Sequence, residues 1–336
     1  MKGVLVGMSG GIDSSVCAYL LKEKGYNVIG ITFKMEEDEN RCCEISDVKN
    51  IAAKLGIPHY SIDIKDSFKR MVIDEFVACY KNGITPNPCI MCNKYIKFNF
   101  FLKKAQELDV EYIATGHYAR IEKGMLKKGI DLKKDQSYFL YPIKGEYLKH
   151  ILMPLGCRTK DEVIKIAKKL GFPIKKESSE ICFIPDNDYK KYLLEKHPDL
   201  VKEGPILDKE GNVLGSHPGI SFFTIGQREK IGISARKPLY VIRIDKEKNA
   251  IIVGEREGLY KDELNLRDIN MFVDIEEPRN VSCKIRYRSQ DESAIVRKIE
   301  KDRLAVKFEK PQFAITPGQS VVFYEGDIVL GGGIIE

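Results

Sequence analysis

The sequence predicts an α/β N-terminal half built on a parallel sheet, followed by two small β-rich domains, the last a β-barrel. Three observations carry this. Strand-length apolar runs alternate with helix-period segments through the first half, the rhythm of a parallel sheet with helices on both faces. The first run, Val4 to Val6, ends in a glycine turn that opens a helix. Beyond Pro198 the helical period gives way to short, closely spaced strands with turn signals, the pattern of small barrels. Domains are accordingly expected at 1–198, 199–262 and 263–336.

In chain order, Val4–Val6 reads as a buried strand and Ser14–Glu23 as a helix with Val16, Leu20 and Leu21 as its stripe and Gly25 past its end. Asn27–Phe33 and His59–Ile64 are strands, with a helix over Asp47–Leu55 between them. Ser67–Tyr80 is a longer helix with Phe68, Val72, Phe76 and Cys79 on its apolar face. Pro86 and Pro88 predict a rigid loop, presenting Cys89 and Cys92, before a helix over Ile96–Leu108 and a strand over Tyr112–Thr115. Lys123, Lys127, Lys128, Lys133 and Lys134 crowd a turn-rich stretch, either a solvated loop or a set of phosphate contacts. Thr159 and Glu162 form a capping box on a helix to Leu170. The later strands are expected at Leu239–Ile244, Ala250–Gly254, Val281–Tyr287, Ala294–Ile299, Leu304–Phe308 and Ser320–Tyr324.

The strand–turn–helix at Gly7, Met8, Ser9, Gly10, Gly11, Ile12, Asp13 and Ser14 makes an anion site, because backbone N–H groups and the helix dipole both favour negative charge. Ser9, Ser14 and Ser15 offer hydroxyl donors. No Lys-Ser/Thr pair follows the glycines, which excludes the Walker form, and the dinucleotide pattern is absent. In a parallel sheet ligands bind beyond the carboxyl ends of strands, where Ser9, Phe33 and Thr115-Gly116-His117 fall.

With 336 residues, 43% hydrophobic and 31% charged, the chain is a globular protein of two or three domains. A net charge of +6 permits a polyanionic partner without requiring one. Met1 runs directly into the first strand and no apolar run spans a bilayer, so a cytoplasmic protein without a membrane partner is expected. Nine cysteines without a secretion signal point to thiols kept for chemistry. Cys89 and Cys92 have the spacing of a redox pair or of two metal ligands, and Cys42-Cys43 would chelate poorly. Cys17, Cys79, Cys157 and Cys283 read as small core residues.

Ser9-Gly-Gly-Ile-Asp-Ser14 resembles the pyrophosphatase loop, or PP-loop, of ATP-dependent enzymes that adenylylate a carbonyl or carboxyl oxygen. Pro86-Asn-Pro, Cys92-Asn-Lys94 and Ile96-Lys-Phe98 together resemble the catalytic loop of the tRNA-specific 2-thiouridylases. The match continues through Ala114-Thr-Gly-His-Tyr118, Lys134-Asp-Gln-Ser-Tyr-Phe-Leu140, Glu180-Ile-Cys-Phe-Ile184, Thr224-Ile-Gly-Gln-Arg228, Ile285-Arg-Tyr-Arg288, Thr316-Pro-Gly-Gln319 and Leu330-Gly-Gly-Gly-Ile334. Many members of that family carry Asp where this chain has Cys89.

The resemblance implies an adenine nucleotide alpha hydrolase-like PP-loop domain and ATP-dependent 2-thiolation of a wobble uridine in tRNA. ATP with Mg²⁺ would be held by the loop from Gly7 to Ser14, with the adenine near Phe33 and Gly116. Cys182 would carry a persulfide, delivered by a sulfur-donor protein, and Cys92 would free the sulfur by forming a disulfide. His117 and Lys94 are candidates for lowering the thiol pKa values or gripping the nucleotide. Asn87, Pro88, Cys89, His117, Lys134, Asp135, Gln136, Arg286, Tyr287 and Gln319 would contact tRNA, the last three from the C-terminal barrel. Cys89, Cys92 and Cys182 could instead hold a 4Fe–4S cluster with one open iron. The alternatives are another PP-loop sulfurtransferase, an amide-forming ligase, or a tRNA-binding protein without catalysis.

Overall fold

The computed structural model describes residues 2–35, 45–174, 181–184, 187–275 and 277–336. Cys42, Cys43 and Ser178-Ser179-Glu180 lie outside them. The opening apolar run is the centre of strand β1 (Gly3–Gly7), which pairs in parallel with β2 (Asn27–Lys34). Strand β3 (His59–Asp63) extends the sheet beyond β2, and β4 (Tyr112–Ala114) lies on the other side of β1. A hairpin of β5 (Ala119–Glu122) and β6 (Met125–Lys128) leaves the sheet, and β7 (Ile151–Leu152) returns to close its far edge. The all-parallel order is β3-β2-β1-β4-β7.

Each face of this sheet has its own helices. The helices Ile12–Glu23, Ile45–Leu55 and Lys160–Lys169 bury Val16, Leu21, Val48, Ile51 and Val163 on one side. On the other side lie Phe68, Phe76, Ile96 and Phe101, each contributing roughly 1.5–3 kcal/mol by burial. The helix expected at 67–80 runs over 65–81 and widens to π geometry at Lys69–Ile73. Its buried side ends in Tyr80, and Cys79 is left half-exposed.

The proline-rich stretch departs from expectation. Only residues 83–87 form a loop. A helix begins at Pro88, carries both Cys89 and Cys92, passes through a π segment at Asn93–Phe100 and ends as Phe101–Glu107. Pro88 occupies the first helical position, where its missing N–H costs nothing and its fixed φ suits the helix. The Asn87 side chain accepts from Ile90 N at 3.4 Å as the N-cap.

The second unit is a four-stranded sheet of order β10-β11-β8-β9, from β8 (Gly204–Leu207), β9 (Val213–His217), β10 (Tyr240–Asp245) and β11 (Ala250–Gly254). The third is a closed antiparallel barrel of β12 (Tyr260–Met271), β13 (Arg279–Lys284), β14 (Glu292–Glu300), β15 (Arg303–Phe313), β16 (Ser320–Glu325) and β17 (Ile328–Ile335), with β12 pairing β17 to shut it. Strands β8, β9, β12 and β17 and the β5–β6 hairpin were not among the sequence expectations. β17 carries three glycines because β12 and Tyr141 approach it so closely that a side chain on Gly332 would meet the Tyr141 ring at 2.9 Å.

The three units share one apolar core. Leu5 and Phe101 of the first belong to the same cluster as Val241 and Ile251 of the second and Val322 and Val329 of the barrel. The β5–β6 hairpin docks on the barrel edge, with Lys127 opposite Ile328 in register. This places Lys127 and Lys128 differently from a solvated or phosphate-binding loop. Lys127 pairs with Glu122 and Asp327, and the buried Lys128 pairs with Asp291 and lies 4.2 Å from the Tyr324 ring centroid. Cys17 and Cys283 are buried as expected, whereas Cys157 is exposed.

Candidate functional site

The PP-loop geometry follows from its glycines. Gly10 sits at φ 80, where only glycine is unstrained, and Gly11 is the N-cap of the first helix, with no side chain capping it. Its first-turn N–H groups therefore face an anion site. The hydroxyls of Ser14 and Ser15 both donate to the Gly11 carbonyl, at 3.0 and 2.9 Å, and Ser14 Oγ accepts from Ser9 N at 3.1 Å. Those two serines brace the loop instead of offering donors to a ligand. The exposed hydroxyl of the three is Ser9. Met8 is buried, its N–H bonded to Ile31 O and its carbonyl to Thr32 Oγ1, both at 2.8 Å. Gly7 and Ile12 are the walls on either side, Gly7 against Phe101.

Gly116 packs directly on this loop. A Cβ there would lie 2.9 Å from both Asp13 C and Ser14 N, so only glycine fits. Phe33, at the carboxyl end of β2, is buried edge-on against Phe100 and Phe101, with centroids 5.9 and 5.2 Å away.

Asp13 is the focus of the site. Lys160 Nζ donates to its two carboxylate oxygens at 2.9 and 2.8 Å, and Tyr118 OH donates at 2.8 Å. Lys160 is the first residue of its helix, and its N–H is fixed by Asp131 at 3.0 Å. Tyr118 is held in turn by Gln136, whose Oε1 accepts from Tyr118 N and whose N–H donates to Tyr118 O, both at 2.9 Å. Asp135 is buried and accepts from Gly129 N, Ser137 N and Ser137 Oγ. Gln136 and Asp135 thus brace the loop around Asp13, and Lys134 lies half-exposed beside them. Neither Lys160 nor Tyr118 was singled out from the sequence for this role, although the Thr159–Glu162 capping box that aims Lys160 is present as expected.

The cysteines occupy the neighbouring side. Cys92 is buried, and desolvation pushes its thiol up to about 12, against the opposing pull of the Lys97 charge. Cys182 and Cys89 are close enough to push it further. Cys182 itself is exposed and Cys89 half-exposed. Among the described residues, no three His, Cys, Asp or Glu side chains are arranged to hold one metal ion.

His117 links the two sides, its ring 5.7 Å from Phe98 and its Nδ1 2.8 Å from Thr115 Oγ1. Burial, and secondarily Lys97, hold its pKa well below the usual range. A neutral imidazole supplies no charge to stabilise a thiolate, contrary to that candidate role. Lys97 is the cation that acts on both Cys92 and His117, a role the sequence alone does not signal. The other candidate, Lys94, has its Nζ 5.3 Å from the Tyr95 ring centroid.

The barrel residues meet the first unit rather than standing apart. Tyr287 packs on Phe139, with centroids 4.6 Å apart. Arg286 donates to Ala314 O and, at 3.2 Å, to Thr316 Oγ1. Gln319 Nε2 donates to Thr85 O at 3.0 Å and Pro86 O at 3.3 Å, the residues just before Asn87 and Pro88.

A parallel sheet, a double-glycine anion loop at its first crossover and an appended barrel define a PP-loop nucleotide-binding protein. Family profiles agree along the chain: the tRNA methyl transferase HUP domain matches residues 2–186, the tRNA methyl transferase PRC-barrel domain 190–255 and the aminomethyltransferase beta-barrel domain 261–335. The tRNA-specific 2-thiouridylase MnmA 1 of Caldanaerobacter subterraneus subsp. tengcongensis is 50% identical, covering 99% of this chain and 97% of its own. MnmA 1 of Clostridium botulinum is also 50% identical, covering 100% and 99%. The chain belongs to the tRNA-specific 2-thiouridylase family. A solved 4-thiouridine synthetase–RNA complex with bound ATP aligns over 59% of this chain and 51% of its own, at 19% identity and a TM-score of 0.40.

Proposed function

We propose that this protein catalyses ATP-dependent 2-thiolation of the wobble uridine in tRNA. The observation that carries the reading is that Gly116 packs on the PP-loop while its neighbour His117 shares the Lys97 charge with a buried Cys92 that has two further cysteines in electrostatic range. Oxygen on C2 of uridine leaves poorly as it stands. The C2 oxygen attacks the α-phosphorus of ATP, the bond to pyrophosphate breaks, and AMP becomes the leaving group. The loop from Gly7 to Ser14 holds the phosphates, and Lys160 supplies the cation that the Walker lysine supplies elsewhere. Asp13, once released by Lys160, would be the carboxylate to hold Mg²⁺, which would supply charge neutralisation on the departing pyrophosphate.

A persulfide on Cys182, loaded by a sulfur-donor protein, attacks C2 through its terminal sulfur, and AMP leaves with the oxygen. The Cys92 thiolate then attacks the Cys182 sulfur. The bond to the transferred sulfur breaks, its electron pair stays with the new thiocarbonyl, and a Cys92–Cys182 disulfide forms. A dithiol reductant returns both cysteines to thiols. The exposure of Cys182 suits loading from outside, and the burial of Cys92 suits a resolving role. Domain divisions near 198 and 262 and a cytoplasmic location accompany this reading. No helix among the described residues is long and apolar enough to cross a membrane. A 4Fe–4S cluster is not adopted, because Cys89, Cys92 and Cys182 do not form a ligand set as described.

The test is incubation with tRNA, ATP and a persulfide donor, followed by mass spectrometry of the nucleosides. The expected products are 2-thiouridine, AMP and pyrophosphate. Unmodified uridine, or ADP in place of AMP, overturns the reading. Cys89→Asp should retain activity in iron-free protein. Activity that tracks bound iron and is lost with Cys89→Asp would establish the cluster instead.

A further inference from the structure

Thr85 makes one polar contact from each of its three hydrogen-bonding groups, and they go to different parts of the molecule. Its N–H donates to Pro317 O at 3.0 Å, its carbonyl accepts from Gln319 Nε2 at 3.0 Å, and its Oγ1 donates to Thr224 Oγ1 at 3.2 Å. The partners belong to two turns with one pattern, Thr224-Ile225-Gly226-Gln227 in the second unit and Thr316-Pro317-Gly318-Gln319 in the barrel. Both turns close with the last N–H on the first carbonyl, at 3.0 and 3.2 Å, and both place glycine at positive φ, 87 and 89. The first of them abuts the chain just ahead of the second, since a Cβ on Gly226 would lie 2.7 Å from Ala314 Cβ. A Cβ on Gly318 would overlap the Ile84 side chain and come within 2.8 Å of Thr85 O.

The barrel turn is itself anchored. Gly318 N donates to Ile335 O at 2.9 Å, Ile335 N to Gln319 O at 2.8 Å, and Arg286 to Thr316 Oγ1. On the other side of Thr85, Pro86 alone separates it from the Asn87 cap of the helix bearing Cys89 and Cys92. These bonds tether the start of that helix, alongside the burial of Pro88, Ile90 and Cys92.

We propose that Thr85 is a three-way junction and that Gln319 is a positioning residue, which sets the cysteine helix from the barrel instead of contacting tRNA. The proposal rests on the thiolation reading for its kinetic consequence but not for its structural one. Gln319→Glu keeps the side-chain shape and turns an N–H donor into an acceptor facing two carbonyls. Thr85→Val removes only the link to Thr224.

The experiment compares both full-length variants with wild type. Three quantities are read: tRNA and ATP affinity, the thiolation rate at saturating tRNA and ATP, and the rate of Cys92 alkylation by iodoacetamide without substrates. The expected result is a thiolation rate lowered by about tenfold to a hundredfold, as for a reacting group displaced by around 1 Å, with both affinities unchanged. Cys92 alkylation should accelerate in both variants as its helix loosens. Weaker tRNA binding with an unchanged rate at saturation would make Gln319 an RNA contact and overturn the proposal. Unchanged alkylation in both variants would overturn it too, even where wild type forms no 2-thiouridine and the thiolation reading itself has failed.

Discussion

Lys160 Nζ sits between the two carboxylate oxygens of Asp13, at 2.9 and 2.8 Å, although 147 residues separate them. The lysine side chain is only 12% exposed against 34% for Asp13, so the lysine end of the pair is shielded, and the Asp131 bond to the Lys160 N–H fixes its backbone. On the proposed function this cation would meet the phosphates, and its release of Asp13 would free that carboxylate for a metal.

Lys160→Met should therefore slow AMP formation by about a hundredfold to a thousandfold, the usual cost of removing one preorganised charge from a developing anion. Lys160→Arg should recover part of it. Measuring AMP and pyrophosphate release at saturating ATP checks this. An unaltered rate with a lowered melting temperature would reduce Lys160 to a structural partner of Asp13.

Cys92 reacts through its thiolate, and burial has pushed its pKa up to about 12. Across pH 7 to 9 the thiolate fraction remains small and rises about tenfold per unit, so alkylation of Cys92 should climb steeply without a plateau. Lys97→Met removes the cation that opposes this shift and should slow alkylation at every pH in that window. Peptide mass spectrometry after timed iodoacetamide treatment reads both effects. A plateau near pH 7 would contradict the buried, thiol-raising environment.

The parts legible in the sequence were those encoded locally. The PP-loop needs a strand, a glycine at positive φ and a helix start, all within twelve residues, and Gly10 and Gly11 announce them. Lys160 was not legible, because its capping box predicts the helix and not what its first residue reaches across the sheet edge. Strand β12 was missed because its partners face outward as charges, leaving Leu264 and Leu266 as the buried minority. The helix carrying the cysteines looks like a loop in the sequence because Pro86 and Pro88 count as helix breakers. Pro88 stands where a helix tolerates proline best, and the cap that shows this is local: Asn87 accepts from Ile90 N three residues on, so Asn-Pro is itself a helix-start signal that the breaker pattern masks.

His117 makes a stability prediction with a definite sign. Its folded pKa is depressed by burial, so between that value and the unfolded value near 6.5 the unfolded chain binds more protons. Stability then rises with pH in that window and is lost as pH falls below about 6.5. His59 and His217 are also lowered by burial and add in the same direction. His117→Gln should make the fall in melting temperature from pH 7 to pH 5 shallower. A steeper fall would mean the imidazole is charged in the folded protein.

Four of the five lysines of residues 123–134 divide into two pairs with opposite expected behaviour. Lys127 and Lys128 are engaged with Glu122, Asp327 and Asp291 where the hairpin meets the barrel. Replacing Lys128 by Met leaves Asp291 short of its nearest cation while Lys284 remains 3.6 Å away, so stability should fall and the salt dependence of tRNA binding should not change. Lys133 is exposed and Lys134 half-exposed on the loop that braces Tyr118. If these two meet RNA phosphates, removing both lowers the slope of log affinity against log salt by about one to two. Titrations at several salt concentrations, paired with melting curves, separate the groups. A slope lowered by Lys128→Met, or left intact by the Lys133→Ala/Lys134→Ala double change, would reverse the assignment.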